Sequence, residues 1–294
     1  MSSKRIIRRE GLSFQEVPPS LWEDIADMQN EKSLIEKRIL LPLLHQELAK
    51  KHGVILPKAI LLYGPPGTGK TLFAEGIAGR LGWTFVEVSP SELIAISLDT
   101  EARQLKSLFE DLMKLKRAII FFDEFEELAL RSEKATKSER MVSSEMLKQI
   151  PRLRESEEVL LVAATNNIRL LNPALLRPGR FDFILPIGPP DLEARKQILK
   201  KFLETLNLDE VDIDSIAERA KNYTPADIQA ICSDIAQFTF EQELLSGKEY
   251  RARTEDFLKL IEHYKPTISE KDVEQFKKDI VDFCRADYCR IFFK

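Results

Sequence analysis

The chain has 294 residues, enough for one large domain and a smaller one around a sizeable core. Hydrophobic residues make up 44% and charged residues 31%, which argues against a disordered chain. The net charge of −4, from 44 basic and 48 acidic side chains, excludes an overall field drawing the chain onto nucleic acid or an anionic membrane.

At the N-terminus, "MSSKRIIRREG" lacks the apolar centre of a signal peptide. Its Lys4, Arg5, Arg8 and Arg9 fit a solvated tail better than a binding arm, and residues 1–19 are read as that tail. No apolar run approaches the roughly 20 residues that span a bilayer, so no membrane span and a cytoplasmic location are expected. Five apolar runs then follow as strand candidates: "AILLY" (59–63), "TFVEV" (84–88), "AIIFF" (118–122), "VLLVAA" (159–164) and "FILPI" (183–187). Helical patterns lie between them at 70–81, 101–116 and 139–150. Unbroken apolar strands alternating with helices predict a parallel sheet covered on both faces. Pro189 and Pro190 in "IGPPD" end that pattern, and everything beyond reads as helix: 191–206, 212–221, 224–245, 253–264 and 269–284. With the glycine-rich "GPPGTGKT" (64–71) between the first of these strands and the helix after it, the expected fold is α/β, a P-loop NTPase-type domain over 20–187, followed by a small all-α lid with a C-terminal extension over 188–294. Cys232, Cys284 and Cys289 have no second Cys/His pair beside them, so reduced thiols are expected rather than zinc.

The chemistry begins at "YGPPGTGKTLF". Gly64, Gly67, Gly69, Lys70 and Thr71 satisfy G-x-x-x-x-G-K-[ST], with a strand before and a helix after. Such glycines let backbone N–H groups curl around phosphate oxygens, and the helix start adds its positive dipole end. Lys70 would meet the outer phosphates and the Thr71 hydroxyl Mg²⁺. Pro66, Thr68 and Leu72 complete the expected binding loop. "AIIFFDEFEEL" ends a buried strand on Asp123 and Glu124. One carboxylate there can hold Mg²⁺ and the next polarise a water for attack on the γ-phosphate. The bland alternative is a helix start enriched in acids, since Glu126 and Glu127 follow. The next strand runs into "TNN", where Asn166 is placed to align the attacking water, unless the segment is a plain turn. In "ALLRPGRFD", Arg177 and Arg180 flank a Pro-Gly turn and could stabilise charge on the γ-phosphate; two arginines in a turn are otherwise surface charges.

In this order and spacing these pieces resemble the AAA family of ATPases, in its narrow sense, over nearly the whole chain. "SLWEDIADM" (20–28) looks like the segment that lies against adenine, with Asp24, Ile25 and Ala26 standing where the family has Asp-Ile-Gly. "ATNNIRLLNPALLRPGRFDFILPIGPPDLEARKQIL" (164–199) is similar to the family's second region of homology. "NYTPADIQAICSDIA" (222–236) resembles the helix that closes over the nucleotide, with Pro225 in place of the glycine before Ala226. "TEDFLKLIEHYKPTISEKDVEQF" (254–276) resembles the last helices of valosin-containing-type unfoldase modules. The resemblance implies ATP and Mg²⁺ as cofactors, and a homo-oligomeric, hexameric ring with ATP between neighbours. Arg177 and Arg180 would then act in trans, while Asp24, Ile25, Ala26, Pro225 and Ala226 face adenine.

Two departures bear on function. Family members that thread polypeptide carry an aromatic residue in the loop after the second strand; here Ile96, Ser97 and Leu98 stand there, followed by Asp99 instead of glycine. The C-terminal Phe292-Phe293-Lys294 has the shape of the proteasomal ATPases' last three residues without the tyrosine hydroxyl, so a proteasome-like partner is set against simple terminal packing. The leading expectation is an ATP hydrolase that remodels an unidentified protein partner. A nucleotide-gated scaffold or adaptor ring that hydrolyses slowly is the alternative. A nucleic-acid motor is disfavoured by the charge balance.

Overall fold

The computed structural model describes residues 12–25, 28–90, 101–131, 135–156 and 158–284. Six strands form one sheet: β1 (Leu12–Glu16), β2 (Ala59–Tyr63), β3 (Thr84–Val88), β4 (Ala118–Phe122), β5 (Val159–Thr165) and β6 (Phe183–Pro186). Their spatial order is β1-β3-β4-β5-β2-β6, parallel throughout except for β1. Register is set by pairs such as Ala59 with Leu161 and Ala118 with Val159.

The strands are apolar on both faces because both faces are covered. Leu61, Ile120 and Leu161 point to one core, shared with α6 (Glu101–Leu112) and α7 (Lys137–Arg152). Ile60, Ile119 and Val162 point to the other, filled by α5 (Lys70–Leu81) and by the short helices α1 (Leu21–Asp24), α2 (Gln29–Ile35) and α3 (Leu41–Leu44). A π-helical turn, Glu36–Leu40, joins α2 to α3, and α4 (Gln46–Lys51) follows.

Two expectations are corrected here. Residues 12–16, read as part of a tail, form an edge strand antiparallel to β3, with Leu12 opposite Val88. Ser13 to Glu16 are exposed, so backbone pairing rather than an apolar face holds β1. Helix α7 begins at Lys137, two residues before the helical pattern read at 139–150. Thr136 caps it, accepting from the Glu139 N–H while the Glu139 carboxylate accepts from the Thr136 N–H.

Beyond Pro190 come α8 (Leu192–Leu203), α9 (Ile213–Arg219), α10 (Pro225–Ser246) and α11 (Thr254–His263), packed around Leu199, Ile216, Ile231 and Phe257. Asp191, Asp212 and Thr224 cap the first three, each accepting a backbone N–H of the first turn. The Tyr223 hydroxyl ties the last turn of α11 to the start of α10, donating to the carbonyls of Ile261 (3.2 Å) and Tyr264 (2.6 Å).

The final described helix, α12 (Glu270–Phe283), departs from the expected lid. Its Phe276 and Ile280 are buried in the large domain's core, not the lid's. The Phe276 ring lies 5.6 Å from that of Tyr63, and a Cβ built on Gly188 would meet it at 2.6 Å. Arg169, just past β5, pairs with Asp279 (2.6 Å) and Asp282 (2.5 Å) and lies over the Phe283 ring. Packing therefore returns the end of the chain to the large domain. Among the described residues no helix is long and apolar enough to cross a membrane.

Candidate nucleotide site at the tips of β2, β4 and β5

Strand β2 lies between β5 and β6, while the chain leaves it for β3 on the far side of β5 and β4. Its C-terminal tip is therefore a topological switch point, where α/β sheets open a crevice. The loop from Gly64 to Gly69 fills that crevice and leads into α5. Gly67 (φ 75°) and Gly69 (φ 91°) are left-handed, a conformation that strains any residue with a Cβ.

Lys70, first residue of α5, is only 6% exposed. Its ammonium donates to the carbonyls of Gly64 and Pro65 (2.9 Å each) and to Asn166 Oδ1 (2.8 Å), so three donors meet three acceptors. Burial pushes the Lys70 ammonium down to about 8, against the pull of Asp123 and Glu126. The Thr71 hydroxyl donates to Asp123 Oδ2 at 3.2 Å, and the Asp123 Oδ1 accepts the Glu124 N–H at 2.9 Å. Glu124 sits in the left-handed region (φ 45°, ψ 44°) with its side chain exposed, a strain carried by a non-glycine residue at the strand tip. Thr68 is buried, its hydroxyl donating to the Pro65 carbonyl at 2.9 Å; Pro66 and Leu72 are exposed.

The lid reaches the loop through the start of α10. A Cβ on Gly67 would lie 2.9 Å from Thr224 Oγ1 and 3.4 Å from the Ala226 Cβ. Pro225 follows the Thr224 cap, in the first turn, where its missing N–H breaks no helical bond. Asp227 closes the capping box and also accepts from the Thr267 hydroxyl at 2.6 Å, joining α10 to the segment before α12. On the other side, Ile25 is 4% exposed with its side chain against α5 at Gly76, and its carbonyl accepts the Lys32 ammonium at 2.7 Å. Asp24 faces Lys201 of α8 at 3.6 Å.

Arg177 and Arg180 are not brought into this cluster. Gly179 (φ 91°) turns the chain between the two. The Arg177 guanidinium is exposed and has no ion-pair or hydrogen-bond partner among the described residues, whereas Arg180 donates to the Ala174 carbonyl. A cavity of about 570 Å³ beside the loop is lined by Pro65, Pro66, Asn166, Arg169, Thr267 and Asp272 among others, but by neither arginine. Ala26, Ile96, Ser97, Leu98, Asp99, Phe292, Phe293 and Lys294 lie outside the described residues.

One site residue was not anticipated. Glu126 Oε1 accepts the Asn166 N–H at 3.2 Å, linking the tips of β4 and β5. Its position as one of four acids in "DEFEE" marked it only as a possible helix-start charge.

The sequence model of the "ATPase family associated with various cellular activities (AAA)" matches residues 60–189. The "Cell division cycle protein 48 homolog" of Archaeoglobus fulgidus is 33% identical over 284 residues, 92% of this chain and 39% of that protein. The "Proteasome-activating nucleotidase" of Methanococcus vannielii is 36% identical over 254 residues, 85% of this chain and 61% of that protein. The chain thus spans less than two thirds of either relative. A crystal structure of the FIGL-1 AAA domain superposes with a TM-score of 0.80 at 25% identity, covering 95% of this chain and 94% of that one. The match of that family model, with identity at this level over 85% or more of the chain, shows that the chain carries a domain of the AAA ATPase family, homologous to those of Cdc48 homologues and proteasome-activating nucleotidases.

Proposed function

We propose that this chain hydrolyses ATP with Mg²⁺ as part of a ring of identical subunits and uses the cycle to remodel a protein partner. The observation that carries the reading is the meeting of Lys70, Thr71, Asp123, Glu124 and Asn166 at three adjacent strand tips. The donor chemistry fits the substrate. An ammonium and a turn of left-handed glycines suit phosphate, and a hydroxyl 3.2 Å from a carboxylate offers two hard oxygens of the kind Mg²⁺ prefers. Bound Mg²⁺ would neutralise charge on the phosphates.

In this reading the loop from Pro66 to Leu72 holds the phosphates, and Lys70 exchanges its carbonyl partners for phosphate oxygens. Thr71 and Asp123 hold the metal. Glu124, exposed at the strand tip, takes the proton of the attacking water. Asn166 orients that water. Asp24, Ile25, Ala26, Pro225 and Ala226 border the base. Arg177 and Arg180 stand on an exposed turn away from their own loop, which suits action on a neighbouring subunit's γ-phosphate. Remodelling of a protein is supported by relatives named for proteasome activation and as Cdc48 homologues. Ile96-Ser97-Leu98, without an aromatic side chain, favours a second reading for the output alone: a ring that senses nucleotide and does not thread polypeptide.

The test is turnover against protein concentration. Turnover per subunit should rise with concentration in the parent. Glu124→Gln should bind ATP and release almost no phosphate, and Arg177→Ala should bind ATP normally with turnover lowered about 10³-fold. Full turnover in Glu124→Gln, or equal loss of binding and turnover in Arg177→Ala, overturns the assignments.

A further inference from the structure

Glu126 belongs to none of the roles above, yet its geometry ties them together. After β4 the chain passes through strained Glu124 into a 3-10 turn, Phe125–Glu127, anchored by fully buried Phe125 against Phe122 and Phe181. This anchor sets the direction of the next side chain. Glu126 Oε1 accepts the Asn166 N–H across the β4–β5 boundary, while Asp123 bonds only to its own end of the crevice, at Thr71 and the Glu124 N–H. From the same residue, the Asn166 carboxamide oxygen then accepts the Lys70 ammonium at 2.8 Å. The order β4-β5-β2 makes the three tips neighbours, so Glu126, Asn166 and Lys70 form one line of contacts across the sheet.

The second carboxylate oxygen, Oε2, is buried without a hydrogen-bond partner. Burying a polar atom unpaired is unfavourable, and a side chain held there only to fill space would do better as an apolar one. What the carboxylate supplies is an oxygen acceptor that reaches the backbone N–H of the neighbouring strand tip.

We propose that Glu126 is a positioning residue of the phosphate site: its carboxylate grips the Asn166 N–H across the two strand tips and so aims the Asn166 carboxamide at Lys70. The proposal rests on the ATPase reading for its effect on turnover, but not for the contact itself. In this assignment Glu126 acts through Asn166.

Two arms test it. In the nucleotide-free chain, amide exchange of the 163–168 segment is measured by hydrogen–deuterium exchange. Glu126→Ala should speed exchange of that segment about tenfold or more, while Glu126→Gln, which keeps an oxygen acceptor, should stay closer to the parent. In steady-state kinetics, Glu126→Ala should lower kcat for ATP about tenfold to a hundredfold with KM little changed, because a misplaced Asn166 harms alignment more than phosphate binding. The double variant Glu126→Ala/Asn166→Ala should lose no more than Asn166→Ala alone. Unchanged exchange in Glu126→Ala, or losses that multiply in the double variant, overturns the proposal. Faster exchange in Glu126→Ala, with no turnover in the parent, upholds the contact and instead sinks the ATPase reading.

Discussion

Raising the pH should weaken ATP binding through Lys70, in an amount set by its burial. The nucleotide-free ammonium is held at about 8 instead of 10.5, because desolvation outweighs the pull of Asp123 and Glu126. Phosphate oxygens attract the ammonium and not the neutral amine. The apparent dissociation constant should therefore grow with the ratio of neutral to charged lysine: about twofold at pH 8 and about tenfold at pH 9, roughly 1.4 kcal/mol per further unit. Stability moves the opposite way. Folded Lys70 loses its proton near pH 8 and unfolded Lys70 near 10.5, so between those values the unfolded chain binds more protons. The nucleotide-free parent should gain stability over that window relative to Lys70→Met; below pH 8 both states are charged and the burial penalty stands in full. The assay is titration of a fluorescent ATP analogue at fixed ionic strength from about pH 7 to about pH 9.5, with Lys70→Arg as a control whose charge does not titrate. A parent affinity that stays flat to about pH 9.5, or a Lys70→Arg variant with the same slope, refutes the reasoning.

Two further substitutions probe the frame around the site. Phe276→Ala removes a ring packed on Tyr63 and against Gly188, and should destabilise the chain by about 3 kcal/mol in urea denaturation; a loss under about 1 kcal/mol would show that α12 is not seated as described. Tyr223→Phe leaves the Ile261 and Tyr264 carbonyls without their hydroxyl donor and should cost about 1 kcal/mol; an unchanged denaturation midpoint would contradict those two bonds.

The parallel strands could be read because "AILLY" and "AIIFF" are apolar at every position, a pattern that only a sheet covered on both faces requires. Strand β1 could not, since "LSFQE" exposes four of its five side chains and is defined by backbone pairing with residues more than sixty positions away. Helix α12 shows the same limit. Its apolar stripe announces that one face is buried, but not that the partner is Tyr63 and Gly188 instead of the lid, nor that Arg169 waits 110 residues upstream of Asp279. At the site, Lys70 and Asp123 follow from motif and strand tip, whereas Glu126 does not. Four acids crowd into "DEFEE", and only the 3-10 turn decides which one reaches the neighbouring strand.

The return of α12 to the large domain also governs how the lid can move. A lid joined only at Gly188 to Asp191 would swing like a flag on one cord. This one is tethered again where the chain leaves Tyr264, passes Thr267 on Asp227, and seats Phe276 and Asp279 on the other body. A rigid block held at two separated places keeps one easy freedom, rotation about the line through them. Any opening over the phosphate loop would then be a turn about that line, and anything that loosens the Arg169 pairs would free one of its two ends.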